Sequence, residues 1–427
     1  MILVFEMTWT GAVHAPGNSA TLQIVARAWP DQVVRVHAEA THLQELRRDA
    51  VLAALPNVEF VPVTVSPLWR GRTQIVAWRR LWQEFRTVRV ALRLVPRGEG
   101  CLVFMISTTA TGSFAAAWAA RLCNLLAGPL ARRRVELQVG FHGNLNDAAG
   151  WRSRNPLVRA FDTRAALEAR HPVPTRFLVL ETTIRTALAA VVPGAVARTD
   201  VLPLPINTVE VPATADGRLG SPVRIGFVGL GTVSKGMDTF LDIAARSHAR
   251  WGDRVQFVHV GTAAPGADPA GFAVLAHPAA TQGLPRSEFA ARLASLHYVF
   301  LPFRRGYYDL SASGALIDAL TWLKPIITIR VPLTEQFFDE FGDIGILCED
   351  EAGLEAAVEA VLADPDADRY ARQVAALRQA RAARQVEILA VRYRRIVEQG
   401  FPELLGEATG RYPDGWRHDA ADSRQGI

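Results

Sequence analysis

Lysine is nearly absent from this 427-residue chain. Of its 47 basic side chains only Lys235 and Lys324 are lysines, and all the others are arginines. An ammonium is a compact charge on a flexible stem, which a planar guanidinium does not replace. We therefore interpret the two retained lysines as positions where that geometry is needed.

Cysteine and long apolar runs are scarce as well. Cys101, Cys123 and Cys348 are widely separated and odd in number, a pattern that excludes a disulfide framework and a cysteine metal site and indicates a reducing cytoplasm. No run reaches the roughly 18 apolar residues of a spanning helix, and the first residues lack the basic start of a signal peptide. We expect a cytoplasmic protein, with any membrane contact peripheral and at the inner face.

The chain does contain enough apolar material for two cores. Hydrophobic residues make up 49% and charged residues 21% of it, which is typical of globular proteins. Its length suits two domains of about 200 residues. The net charge of +5 favours nucleic acid, anionic lipid or phosphorylated ligands as partners.

One segment concentrates basic charge together with aromatic residues. Its members are Arg70, Arg72, Arg79, Arg80, Arg86, Arg89, Arg93 and Arg97, interleaved with Trp69, Trp78, Trp82 and Phe85. This is typical of an amphipathic segment on an anionic membrane surface, and the alternative is a solvated helix whose tryptophans fill a core. A nucleic-acid partner is not expected, because no nucleic-acid-binding motif accompanies the arginines.

Strand and helix patterns alternate in the first half, which predicts a parallel α/β domain. A short apolar strand at 2–8 is followed by a loop rich in Gly, Pro and Asn at 10–19 and a helix at 20–28, the opening of a Rossmann-type unit. Further strand-like runs lie at 33–38, 58–65, 101–106, 135–141 and 176–180.

The same pattern restarts in the second half. Its predicted strands lie at 223–228, 255–260, 298–302, 326–329 and 345–348, and its helices at 237–249, 286–295, 313–323 and 352–362. We predict a first Rossmann-like domain over 1–210 and a second over 218–385, then a helix at 386–404 able to cross back to the first domain, and a flexible tail at 405–427. Two such sheets place their ligand site in the cleft between them.

The strongest local signal is a glycine turn in the second domain. The strand at 223–228 runs through Gly229 and Gly231 to Lys235 and then into a helix. Glycine allows close backbone approach, and the N–H groups at a helix start favour an anion. The turn predicts a phosphate site, and the alternative is a turn whose glycines serve only packing.

A second anion-favouring helix start follows the strand at 298–302. Its candidate ligand-binding residues are Arg304, Arg305, Ser311, Ser313 and Gly314. Asp318 is predicted one to two turns into this helix, within reach of a ribose hydroxyl of a nucleotide held at the helix start. The alternative for Asp318 is a solvated helical acid.

Together these segments resemble the retaining glycosyltransferases of the GT-B class, family four of the sequence classification. That family carries a Lys-Gly pair after its glycine turn, and later an acid-x7-acid helix followed by Gly-Lys-Pro. Here Lys235-Gly236 matches the first, and Asp318 with Lys324-Pro325 matches the second half of the other. The resemblance implies two Rossmann-like domains that face each other across a cleft.

The chain departs from the family at several motif positions. The family's arginine after the turn glycine is replaced by Leu230, so Arg304 or Arg305 is expected to meet the phosphate charge instead. The first acid of the pair is replaced by Leu310, with Asp309 beside it. A Ser-Ala-Ser-Gly loop stands where the family has a Gly-aromatic-Gly loop, which predicts a different recognition of the sugar.

In the first domain the resemblance rests on topology. The family presents a histidine at the end of a late strand, and His142 follows the strand at 135–141, so we expect it to contact the reacting sugar. The loop at 11–18 takes the place of the family's N-domain glycine loop, which makes His14, Gly17 and Asn18 candidates for contacts with the donor.

The function that the resemblance implies is metal-independent transfer of a hexosyl group from a nucleoside diphosphate sugar, with retention and without a cofactor. Positive side chains and helix ends would stabilise the leaving diphosphate. The expected acceptor is a glycan or a lipid-linked molecule, in bacterial polysaccharide or glycolipid biosynthesis. Two alternatives remain, a catalytically silent GT-B scaffold of a polysaccharide assembly complex and a nucleotide-sugar epimerase.

Overall fold

A computed structural model describes residues 1–65, 74–96, 99–126, 134–141, 145–150, 155, 161–206, 218–265, 267, 269–278, 280–402 and 404. Within them the chain forms two parallel β-sheets, of seven and five strands, with helices packed against them. The prediction of two Rossmann-like α/β units is confirmed. His142 and the predicted tail at 405–427 lie outside the described residues.

The first sheet has the strand order β3-β2-β1-β4-β5-β6-β7. Its strands are β1 (Ile2–Glu6), β2 (Val34–Ala38), β3 (Val58–Pro62), β4 (Gly100–Ser107), β5 (Arg134–Gly140), β6 (Thr175–Val179) and β7 (Thr199–Val201). The order reverses between β1 and β4. Because ligands of open α/β sheets bind where the order reverses, the crevice of this unit lies at the carboxyl ends of these two strands.

Eight helices of the described chain belong to this unit. They are α1 (Ala15–Ala28), α2 (Ala40–Arg47), α3 (Ala50–Ala53), α4 (Gln74–Arg93), α5 (Ala110–Leu126), α6 (Asn146–Gly150), α7 (Thr163–Glu168) and α8 (Thr182–Val191). The prediction of a loop as far as residue 19 is wrong, because α1 begins at Ala15 with Pro16 in its first turn. Proline fits there, since its missing N–H has no intrahelical partner in the first turn.

The second sheet has the strand order β12-β11-β10-β8-β9. Its strands are β8 (Val223–Val228), β9 (Val255–Val260), β10 (Tyr298–Leu301), β11 (Ile326–Ile329) and β12 (Gly345–Cys348). Its helices are α9 (Met237–Trp251), α10 (Arg286–Ser295), α11 (Gly314–Thr321), α12 (Pro332–Phe341), α13 (Glu351–Ala363) and α14 (Ala367–Ala383). The order reverses between β8 and β10, so the crevice of this unit lies where those two strands end.

The last helix, α15 (Val386–Gly400), packs on the first unit rather than on the second. Its buried side chains, among them Leu389 and Val397, join the apolar cluster that contains α1 and β2. The Tyr393 hydroxyl donates a hydrogen bond of 2.6 Å to Gln138 Oε1 on β5. The described helices include no candidate for a transmembrane segment.

A buried ion pair joins the two units. Glu181, just after β6, is 1% exposed, and Arg384, between α14 and α15, is 2% exposed. The guanidinium is bidentate on the carboxylate, with Nη1–Oε1 and Nη2–Oε2 distances of 2.6 and 3.0 Å. It also lies 4.2 Å from the Phe337 ring of α12. Gln336 of α12 completes the junction with hydrogen bonds to Glu181 and to the Thr183 N–H.

Candidate functional site

Several positions in and beside the turn after β8 require glycine. Gly229 has a φ of 101°. A Cβ added to Gly261 would lie 1.9 Å from the Gly229 carbonyl oxygen. Gly236 has a φ of 80°, and a Cβ there would lie 2.4 Å from the Pro302 carbonyl oxygen. The turn therefore touches the chain after β9 and the loop after β10, which brings the two predicted ligand-binding segments together.

Lys235 places its ammonium beside this turn. Its Nζ lies 3.9 Å from the position that a Cβ on Gly229 would occupy. Burial lowers the pKa of Lys235, since desolvation disfavours the charged form. In the described part of the chain no carboxylate forms an ion pair with it. An unpaired, partly desolvated ammonium beside a glycine turn is a favourable place for an anion.

The two arginines after β10 have different surroundings. Arg304 donates from Nη2 to Asp238 Oδ2 over 2.5 Å, which ties the loop to the first turn of α9. The remaining buried polar atoms of this pair, Arg304 Nε and Asp238 Oδ1, have no hydrogen-bond partner. Arg305 is exposed. Much of the charge of Arg304 is thus compensated by Asp238, which leaves Arg305 as the more available cation.

The predicted helix start after β10 is present. Helix α11 begins at Gly314, and Ser313 caps it by accepting a hydrogen bond of 3.3 Å from the Leu316 N–H. Ser311 and Ser313 are both buried, and the Ser311 hydroxyl donates to the Tyr307 carbonyl. The two serines shape the loop, whereas Gly314 is exposed at the helix start.

Asp318 and Lys324, the other motif residues, occupy different environments. Asp318 lies in the second turn of α11 and is partly exposed. Lys324 is buried and donates from Nζ to the Ala294 carbonyl, 2.7 Å away in the last turn of α10. Burial lowers the pKa of Lys324 to about 8. Lys324 therefore stabilises the end of α10, and the motif lysine beside the glycine turn is Lys235.

In the first unit, a buried carboxyl group holds the loop after β1. One oxygen of Glu6 accepts hydrogen bonds from the N–H groups of Thr8 and Trp9, at 2.8 and 3.0 Å. Its other oxygen accepts from Asn18 Nδ2 at 3.0 Å. Burial raises the pKa of Glu6 to about 8. A buried carboxyl group at the carboxyl end of β1 thus fixes the loop that follows this strand.

His42 extends this network to the tip of the loop. Its Nδ1 lies 2.7 Å from the Gly11 carbonyl oxygen, and its Nε2 lies 3.1 Å from Asn18 Nδ2. Because a carbonyl oxygen only accepts, Nδ1 carries the proton and Nε2 accepts from the amide. Asn18 is 1% exposed, so it supports the loop from the protein interior. Gly17 is partly exposed, with open space where a side chain would begin.

His14 is an exposed residue at the end of the loop after β1. It has a φ of 58°, immediately before α1, and its ring lies 4.6 Å from that of Trp9. The pKa of His14 is lowered, first by desolvation and then by the charges of His42 and Lys235. Leu310, in the loop after β10, packs into the apolar cluster of the first unit that also contains Met7 after β1, so loops from the carboxyl ends of both sheets meet between the units.

An apolar cavity of about 840 Å³ opens beside the glycine turn. Its lining includes Leu230, Thr262, Ala263, Phe272, Leu275 and Pro278. Leu230, where the resemblance has an arginine, therefore forms part of an apolar wall. Such a cavity suits a flat, largely apolar group rather than a phosphate.

No protein-family model and no curated protein matches this chain. Solved structures do match over nearly its whole length. A glycosyltransferase from Rickettsia africae has 12% identity and a TM-score of 0.60, covering 94% of this chain and 98% of its own. WaaG, a glycosyltransferase involved in lipopolysaccharide biosynthesis, has 12% identity and a TM-score of 0.56 (93% and 99%). A UDP-forming α,α-trehalose-phosphate synthase from Burkholderia vietnamiensis has 10% identity and a TM-score of 0.58 (93% and 98%).

The chain has the GT-B fold. The predicted architecture is confirmed at that level, whereas membership of family four and retention stay predictions. In this GT-B chain Lys235 lies beside Gly229 in the turn after β8. His142 lies outside the described residues, and among those described no group of three or more His, Cys, Asp or Glu side chains could hold a metal ion.

Two residues of the cleft support, Glu6 and His42, were missing from the sequence prediction. Glu6 had a detectable signal, because it is the one charged residue at the end of an otherwise apolar strand. His42 lies in α2, and no local pattern sets it apart from a surface histidine. Its role depends on the tertiary contact with Asn18.

Proposed function

We propose that this chain is a glycosyltransferase whose donor is a nucleoside diphosphate sugar. The observation that carries the proposal is the unpaired ammonium of Lys235 beside Gly229, at the point where the strand order of the second sheet reverses. A diphosphate is the ligand that such a group and a glycine turn suit best. The shared fold with a UDP-forming synthase supports this assignment.

The surroundings of Lys235 suit the other parts of such a donor. In our proposal the diphosphate lies between Lys235 and the start of α11 at Gly314, and the base enters the apolar cavity beside Leu230. Asp318 would accept a hydrogen bond from the ribose. Arg305 would add positive charge.

We further propose that transfer is metal-independent and proceeds with retention. Lys235, Arg305 and the helix start would stabilise the negative charge that develops on the leaving diphosphate. His142 would contact the reacting sugar, and the first unit would bind the acceptor, a glycan or a lipid-linked molecule. The shared fold with WaaG, which acts in lipopolysaccharide biosynthesis, supports an acceptor of this kind.

One observation favours a second candidate, a catalytically silent scaffold. Leu310 takes the position of the family's first acid, is 4% exposed and packs into the apolar cluster of the first unit. An interdomain packing contact thus replaces a carboxylate. In this alternative the cleft binds a nucleotide and the protein serves in a polysaccharide assembly complex.

The test is turnover of sugar nucleotides in the presence of EDTA. The protein is incubated with UDP-, GDP-, ADP- and dTDP-hexoses, and release of the nucleoside diphosphate is measured, with NMR of the anomeric proton of any product. Release of one nucleotide and an unchanged anomeric configuration supports the proposal. Nucleotide binding without any release supports the scaffold, and an inverted product would overturn retention.

A further inference from the structure

Exposed apolar side chains are concentrated on two neighbouring helices of the first unit. Helices α4 and α5 pack side by side over the cluster that contains β1 and β4. Seven of the twelve large hydrophobic residues that are exposed in the described chain lie on them or directly after α4: Trp78, Trp82, Val90, Leu94, Trp118, Leu125 and Leu126. We call this surface the α4–α5 face.

The spacing shows that these side chains form continuous stripes. On α4, Trp82 and Val90 lie two turns apart and are 58% and 57% exposed, whereas Val88 faces the core. On α5, Trp118 and Leu125 are spaced likewise and are 58% and 59% exposed. Residues seven or eight apart share one side of a helix. The alternative that the tryptophans of this segment fill a core is therefore wrong for Trp82.

The charges on this face are all of one sign. The exposed ionisable side chains of the two helices are Arg79, Arg86, Arg93 and Arg121. The single carboxylate in either helix is Glu84, which is buried and paired with Arg80 at 2.8 Å. This face thus combines exposed tryptophans with arginines and has no exposed acid. It complements a partner whose outer layer is negatively charged and whose interior is apolar.

We propose that the α4–α5 face docks on an anionic phospholipid bilayer. Tryptophan is favoured at the boundary between headgroups and acyl chains, and arginine can bury its aliphatic stem there while its charge reaches the phosphates. Each arginine near an anionic leaflet contributes about a fivefold factor in binding. Helix α4 follows β3 and α5 follows β4, so both begin at the edge of the sheet where the crevice lies. Docking would hold the cleft beside the membrane surface.

This inference goes beyond the transferase proposal, because docking requires neither a donor nor turnover. It is tested by flotation of the full chain with vesicles of phosphatidylcholine alone, and with vesicles of equal parts phosphatidylcholine and phosphatidylglycerol. The two test variants are Trp82→Ser with Trp118→Ser, and Arg86→Gln with Arg93→Gln. The matched control is Arg372→Gln with Arg378→Gln, which removes two exposed arginines from α14.

We expect binding to the anionic vesicles, weaker at high salt because exposed charges are screened. The double arginine variant should bind them about 30-fold more weakly, the tryptophan variant should lose binding as well, and the α14 control should bind as the parent does. Equal losses in the α14 control would overturn the proposal, since general positive charge would then explain binding. So would binding to duplex DNA by a chain that leaves the vesicles unbound. Circular dichroism of each variant checks that a loss does not come from unfolding.

Discussion

Removing one member of the Glu181 and Arg384 pair should destabilise the protein strongly. Glu181→Gln leaves a guanidinium that is 2% exposed with a neutral amide in place of its main carboxylate. Glu340 is 3.9 Å away and exposed, so it compensates poorly. Breaking a buried pair from one side costs about 3 to 5 kcal/mol. For a domain of this size that corresponds to a decrease of roughly 6 to 20 °C in the melting temperature.

A double variant that removes both charges distinguishes the cost of an unpaired buried charge from the loss of the contact itself. Glu181→Leu with Arg384→Met replaces the pair with apolar groups, and such replacements are often neutral or stabilising. We expect calorimetry to show a large decrease for Glu181→Gln and a much smaller one for the double variant. Because the pair joins both units, the melting of both should respond. A decrease in unfolding free energy of less than about 1 kcal/mol in the single variant would contradict a buried guanidinium that depends on Glu181.

The unfolded chain releases the Glu6 proton near pH 4.5, whereas the folded chain keeps it to about pH 8. The free energy of unfolding should therefore fall as the pH rises through this window, by at most ~5 kcal/mol. Glu6→Gln should remove this pH dependence in urea titrations. Gly236→Ala should abolish nucleotide binding while α-helical content is kept, because its Cβ would lie 2.4 Å from the Pro302 carbonyl oxygen; unchanged affinity would contradict this packing. Since desolvation lowers the pKa of Lys235, nucleotide affinity should decrease as alkaline pH removes its proton, and Lys235→Arg should lose that pH dependence in fluorescence titrations.

The fold was predictable because hydrophobic period and chain order determine it. The runs at 223–228, 255–260 and 326–329 are strands with the predicted bounds. Short apolar runs bounded by turn-forming residues are typical of buried strands. The start of α1 was predicted incorrectly because its first turn contains proline, glycine and asparagine, which propensity assigns to a loop. The buried contacts of Asn18 in that turn with Glu6 and His42 outweigh that preference.

The geometry of the candidate site was predictable where a backbone requirement marks it. Gly229 and Gly236 need positive φ values, and Lys235 follows from its rarity and its place in the turn. The role of Lys324 could not be predicted, because it depends on the end of α10, which is distant in the chain. The Asp238 contact of Arg304 and the support that Asn18 gives to the loop are also long-range, and a linear pattern contains neither.

The most direct test of the account is calorimetric titration of the protein with UDP, GDP, ADP and dTDP in the presence of EDTA, on the parent chain, on Lys235→Ala and on Arg372→Ala as the control. We predict that one nucleotide binds and that Arg372→Ala leaves its affinity unchanged. Lys235→Ala should weaken binding by at least about tenfold, because one charge-assisted contact is lost. Absence of binding by all four nucleotides, or equal affinity in Lys235→Ala, would contradict the account.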